Sequence, residues 1–150
     1  MGVLISNRQT SQKIHPEEIR KMSQAVLNAL ACPEGELSVL LVDDPQIAVF
    51  NQDYLNRQGP TNVIAFPMRE GEFSDITPDM LGDVVISVDT AEKEGEMAGI
   101  TTEERFAQLL VHGILHLFGY DHEHDEDEAA RMEEKSEEIL GLINSYRENG

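Results

Sequence analysis

His112-Gly113-Ile114-Leu115-His116-Leu117-Phe118-Gly119-Tyr120-Asp121-His122 places three imidazoles at offsets of four and six. His112 and His116 are one turn apart on the same face of a predicted helix. Gly119 can adopt the left-handed conformation that ends that helix and turns the chain back, so that His122 approaches from the other side. The pattern HxxxHxxGxxH is the spacing of the metzincin zinc proteases, except that the Glu following their first His is Gly113 here. Its absence points away from peptide hydrolysis.

A single His in an apolar helix is ordinarily a hydrogen-bonded core residue. Four of the five His in this chain fall between positions 112 and 124, which is a ligand pattern instead. One transition metal is expected, Zn2+ by ligand type, held by His112, His116 and His122. Structural zinc is normally closed by four protein ligands, often Cys. The only cysteine, Cys32, is remote in sequence and reads as a small buried hydrophobe. A three-His site with an open position is therefore expected, with His124 and Asp125 as rival fourth ligands. Such a zinc lowers the pKa of bound water to about 7 and polarises a phosphoryl oxygen. Asp121 is a candidate acceptor for a ligand imidazole N–H, and a turn residue on the alternative reading. No general base is evident.

Working outward, Phe106 to Phe118 is apolar nearly all round, which predicts a central helix with neighbours on several sides. Thr101 with Glu104, and Asp89 with Glu92, fit N-terminal capping boxes for helices starting near 102 and 90. Leu37 to Val42 suits a strand buried on both faces. Val3 to Ser6, Thr61 to Phe66 and Asp83 to Val88 read as further strands, the first at an edge. A polar loop, Pro67 to Leu81, joins the last two. Helices are predicted over 16 to 31, from Asp44-Pro45 to Leu55, and over 125 to 147. The last carries a packing stripe of Ala129, Met132, Ile139, Leu142 and Ile143. The fold class is α+β: one domain spanning 1–150, with about four strands in a mixed sheet packed with helices, the central helix bearing the histidines.

HGILHLFGYDH, with PTNVIAFP at 60 to 67 and LGDVVIS at 81 to 87, resembles the YbeY family of bacterial endoribonucleases, and the likeness runs from about Leu37 to about Leu140. The resemblance implies a zinc-dependent, single-strand-specific endoribonuclease acting in ribosomal RNA maturation, notably at the small-subunit 3′ end, and in ribosome quality control. Single-stranded or ribosomal RNA would be the substrate, and ribosomal or assembly proteins the partners. Many members carry an Arg after the Tyr matching Tyr54, where this chain has Leu55. Arg57 is the substitute candidate for substrate binding. Two routes of phosphodiester cleavage stay open, by metal-activated water or by the RNA's own 2′-hydroxyl. A metallopeptidase and an assembly factor with a structural metal are the alternative readings.

A net charge of −18 opposes binding of a polyanion, because phosphate neutralisation dominates nucleic-acid affinity. The acid is uneven. Residues 1 to 75 hold six Lys/Arg and ten Asp/Glu, or −4, whereas residues 76 to 150 hold five and nineteen, or −14. An RNA path is expected over the first half, where Lys13, Arg20, Lys21, Arg57 and Arg69 lie, with Thr61 and Asn62 as further candidate contacts. The acidic run Glu123 to Glu138 reads as the solvated face of the last helix. One Cys excludes an intramolecular disulfide, and no signal or membrane-spanning stretch is evident, so a cytoplasmic protein is expected.

Overall fold

Strand β2 (Glu36–Val42) is an interior strand of the sheet, and its side chains find apolar neighbours on both faces. Leu37, Val39 and Leu41 enter the main core, while Val42 and Leu40 enter a smaller cluster on the opposite face. Strands β1 (Val3–Asn7) and β4 (Met80–Ser87) flank it in parallel, and β3 (Val63–Pro67) pairs antiparallel with β4. Among the described residues the order is β1-β2-β4-β3, so β1 and β3 are the edges of a four-stranded mixed sheet. This is the expected α+β architecture. The computed structural model describes residues 2–68, 80–120 and 126–149, with the backbone alone over 145–149.

Among the described residues five helices pack about the sheet. Helix α1 (Pro16–Ala29) begins with Pro at its first turn, where a missing N–H costs nothing. It stops two residues earlier than the sequence predicts. Ala31 takes φ 58°, and Cys32 N–H donates to Leu27 O, which closes the helix end before Pro33 is reached. Helix α2 (Asp44–Leu55) is capped by Asp43, whose carboxylate accepts the Gln46 N–H at 3.0 Å. It lies on the face opposite the main core, where Ile47 and Phe50 meet Val42, Ile64 and Val85.

Helix α3 (Val88–Ala98) corrects one expectation. Its cap is Ser87, which accepts the Thr90 N–H, because β4 runs straight into the helix without an intervening turn. Asp89 is already inside the first turn, and its carboxylate accepts the Asp44 N–H at 2.9 Å. Asp44 in turn accepts from the hydroxyls of Ser87 and Thr90 and from Lys93 Nζ at 2.7 Å. The starts of α2 and α3 are thus tied together beyond the carboxyl ends of β2 and β4. Burial opposes the charged form of Asp44, but the hydrogen bonds from Lys93, Ser87 and Thr90 outweigh it and hold the carboxyl below the ordinary Asp value.

Helix α4 (Thr102–Leu117) is capped by Thr101, as expected, with the Glu104 N–H donating to its hydroxyl at 3.0 Å. Phe106, Leu109, Leu110, Val111, Ile114 and Leu115 are all buried, which makes α4 the central helix. It packs on β3, β4, α1 and α3, and on α5 (Glu126–Asn149). Met132, Ile139 and Ile143 form the buried stripe of α5, and Ala129 is half-buried. Leu142 departs from the expectation. It is 55% exposed, because it lies off the narrow face that α5 turns to the core. The acidic residues of the first turn of α5 are exposed, as a solvated charged face requires. Among the described residues no helix is long and apolar enough to cross a membrane.

Candidate metal centre

Helix α4 meets the sheet through Gly113. A Cβ built there would lie 2.6 Å from Val84 Cγ1 and 3.1 Å from Val63 Cγ2, so only glycine admits this approach. The preceding residue, His112, and His116 one turn on share a different face, where both are half-buried. Their rings meet edge to face with centroids 4.6 Å apart, and the two Nε2 atoms are separated by 3.0 Å.

That separation fits a shared ion. Two imidazole nitrogens bound at about 2.0–2.1 Å to one tetrahedral zinc stand about 3.4 Å apart, a few tenths of an ångström wider than this pair, and neutral imidazole is a preferred zinc donor. Helix geometry sets the two side chains one above the other, and their rotamers bring the ring nitrogens this close. The turn beyond them also has the expected form. Gly119 takes φ 93°, its N–H donates to His116 O at 3.0 Å, and the Tyr120 N–H donates to Leu115 O at 3.1 Å. Asp121, His122, His124 and Asp125 lie outside the described residues. Among the described residues no group of three or more His, Cys, Asp or Glu side chains is placed to hold a metal.

Beside the pair runs a polar network that the sequence did not signal. Arg105 and Gln108 continue the His112 stripe toward the start of α4 at helical spacing. The Arg105 guanidinium donates to Gln108 Oε1 at 2.7 Å and pairs with Glu94 of α3 at 2.9 Å. Glu94 also accepts from the Asn62 amide at 3.3 Å, and Asn62 Oδ1 accepts the N–H of Val63 at 2.7 Å. Asn62 therefore starts β3 and links it to α3 rather than offering a free amide. Glu94 and Arg105 are eleven residues apart on separate helices, so no local pattern announces them.

The residues of the expected basic path lie in different settings. Arg20 is paired with Glu17 on its own helix. Lys13 and Lys21 are exposed, and Arg69 lies outside the described residues. Arg57 is exposed on the loop between α2 and β3, after Asn56 ends α2 in the left-handed conformation at φ 54°. Among the described residues its guanidinium has no ion pair. Cys32 is half-buried against the main core, as a small hydrophobe would be.

The whole chain can now be placed among known proteins. The curated protein of Geobacter sulfurreducens called endoribonuclease YbeY is 50% identical over 100% of this chain and 98% of its own length. That of Syntrophotalea carbinolica is 48% identical, covering 95% of this chain and 97% of its own. That of Aquifex aeolicus is 40% identical over 88% and 86%. The solution structure of TM1509 from Thermotoga maritima superposes with a TM-score of 0.69 over 98% of this chain and 93% of that one; at 23% identity it speaks for the fold alone. The sequence profile of Endoribonuclease YbeY matches residues 4–144, a span that takes in all of the sheet but Val3, the His pair and most of α5, and the chain belongs to that family.

Proposed function

We propose that residues 1–150 act as one metal-dependent endoribonuclease domain that cuts single-stranded RNA, with one Zn2+ held by His112, His116 and His122. The observation that carries this reading is the convergence of the His112 and His116 Nε2 atoms to 3.0 Å at the end of a central helix, in a member of the endoribonuclease YbeY family. When bound, zinc supplies Lewis acidity toward a phosphoryl oxygen and acidifies coordinated water. The chain itself does the positioning. Burial of α4 on most sides fixes the two imidazoles, so little rearrangement accompanies ion binding. Asp121 is assigned to an imidazole N–H, and Arg57 to an RNA phosphate.

The biological substrate in this reading is ribosomal RNA, cut toward the small-subunit 3′ end in maturation and ribosome quality control, in the cytoplasm. Family membership supports it. Peptide hydrolysis is disfavoured on steric grounds as well as by the lack of a base, since Gly113 faces Val84 and has no room for a Glu. The exposed acid of α5 favours one addition, a basic ribosomal or assembly protein as partner.

The test compares one preparation as purified, chelated, and restored with zinc, against unstructured RNA and against peptide. Cleavage of RNA that is lost on chelation and regained with zinc is the expected result. Peptide cleavage with RNA intact, or RNA cleavage indifferent to chelation, would overturn the proposal.

A further inference from the structure

Tyr54 is 66% exposed, although it is a large aromatic residue at the end of α2. It is also held in place. Phe50 lies beneath it with centroids 6.1 Å apart and planes 23° from parallel, and Phe66 of β3 meets it edge-on at 5.2 Å. Phe50 and Phe66 are rooted in the smaller core cluster with Val42, Ile47, Ile64 and Val85. An aromatic ring held by two packed neighbours and still 66% exposed has surface on which a nucleobase can stack.

From this we infer that Tyr54, backed by Phe50 and Phe66, is a nucleobase-stacking subsite for single-stranded RNA, with Arg57 beside it as phosphate contact; the inference rests on the endoribonuclease reading. Topology supplies the path. Along β3, Val63 and Ala65 pack into the main core that α4 helps to form, whereas Ile64 and Phe66 join the smaller cluster under α2. Because β3 is, among the described residues, an edge of the sheet, one single strand can bend over it and touch both faces. Charge permits the approach as well. Between Pro45 and Met68 the only charged residues are Asp53 and Arg57, a neutral window in a chain carrying −18.

A protein partner fits less well. Val49, Leu55 and Met68 are exposed near the same helix and strand end. With Tyr54 they present on the order of 400 Å², about half of what each side of a stable protein interface buries. An aromatic face accepts any base, so the subsite adds affinity without selecting sequence.

The chain has no Trp, so Tyr54→Trp installs a single reporter. The probe is a 2′-O-methyl RNA of about twelve nucleotides, which resists cleavage and matches the range of single-strand site sizes. Quenching of the Trp emission by this RNA is expected. Tyr54→Leu, which keeps apolar bulk but removes the π-face, should raise Kd on the order of tenfold, with the salt dependence unchanged. Tyr54→Phe should bind as the parent does, and urea melts should show all variants folded. Parent-like affinity in a folded Tyr54→Leu variant would overturn the subsite while leaving the nuclease reading intact. So would a dimer, seen by sedimentation, that this change abolishes without affecting RNA affinity. An unaltered protein that neither binds nor cuts any single-stranded RNA would refute the endoribonuclease reading itself.

Discussion

Gly113 lies so close to Val84 that a Cβ on the helix would stand 2.6 Å from the valine Cγ1 atom. The same residue occupies the position of the protease Glu in the histidine motif, so what looks like a lost base is also the contact that seats α4 on the sheet. Alanine there gains up to about 1 kcal/mol of helix propensity but meets a stiff β-branched side chain on a packed face. Overpacking of this kind costs about 1–3 kcal/mol. Gly113→Ala should therefore lower stability by about 1–2 kcal/mol in urea unfolding, and Gly113→Glu should not fold. Val84→Ala should relieve part of the Gly113→Ala cost in a double-mutant cycle; strict additivity would show that the contact is not the cause.

The histidine pair makes a prediction about metal content. Elemental analysis should find about one zinc per chain, and His116→Ala should remove it while the cooperative unfolding transition survives, because the core of α4 is apolar and does not depend on the ion. Collapse of the fold on chelation would instead mark a structural metal.

Asp44 couples stability to acid. Its folded-state pKa is depressed, so its contribution is fully present above the unfolded Asp value of about 3.9 and is lost as pH falls through the lower folded value. Asp44→Asn leaves the Ser87, Thr90 and Lys93 donors facing an amide. The change should cost about 1–3 kcal/mol at pH 7. The gap between the two proteins should close as the pH is lowered below about 4, and urea melts across that range measure it. A gap independent of pH would remove the charge of Asp44 from the account.

Ser23, on the buried face of α1, has a hydroxyl with no hydrogen-bond partner among the described residues. Replacing it with Ala removes an unsatisfied polar atom and improves helix propensity. Ser23→Ala should raise stability by about 0.5–1.5 kcal/mol. A loss would indicate that the hydroxyl is hydrogen-bonded to trapped water.

Arg57 is tested by salt. Removing one phosphate contact to a single strand flattens the log–log dependence of affinity on salt by about 0.7. Arg57→Ala should show this, and Arg131→Ala, in the acidic helix, should not. Equal behaviour of the two variants would exclude Arg57 from the RNA path.

The sequence by itself determined what depends on neighbours along the chain. The four-residue spacing of His112 and His116, the cap at Thr101 and the left-handed turn at Gly119 are local, and each has its expected form. Burial of β2 on both faces was readable from the apolar run Val39 to Val42 for the same reason. Tertiary structure decided everything that depends on which element arrives alongside. Ser87 rather than Asp89 caps α3, because β4 feeds directly into the helix and α2 brings the Asp44 N–H to the Asp89 carboxylate. Leu142 turns outward because α5 packs along one narrow face. The Asn62–Glu94–Arg105 network and the Phe66–Tyr54 contact join residues 11 to 32 positions apart. Periodicity says which face of an element is apolar; only packing says what meets it.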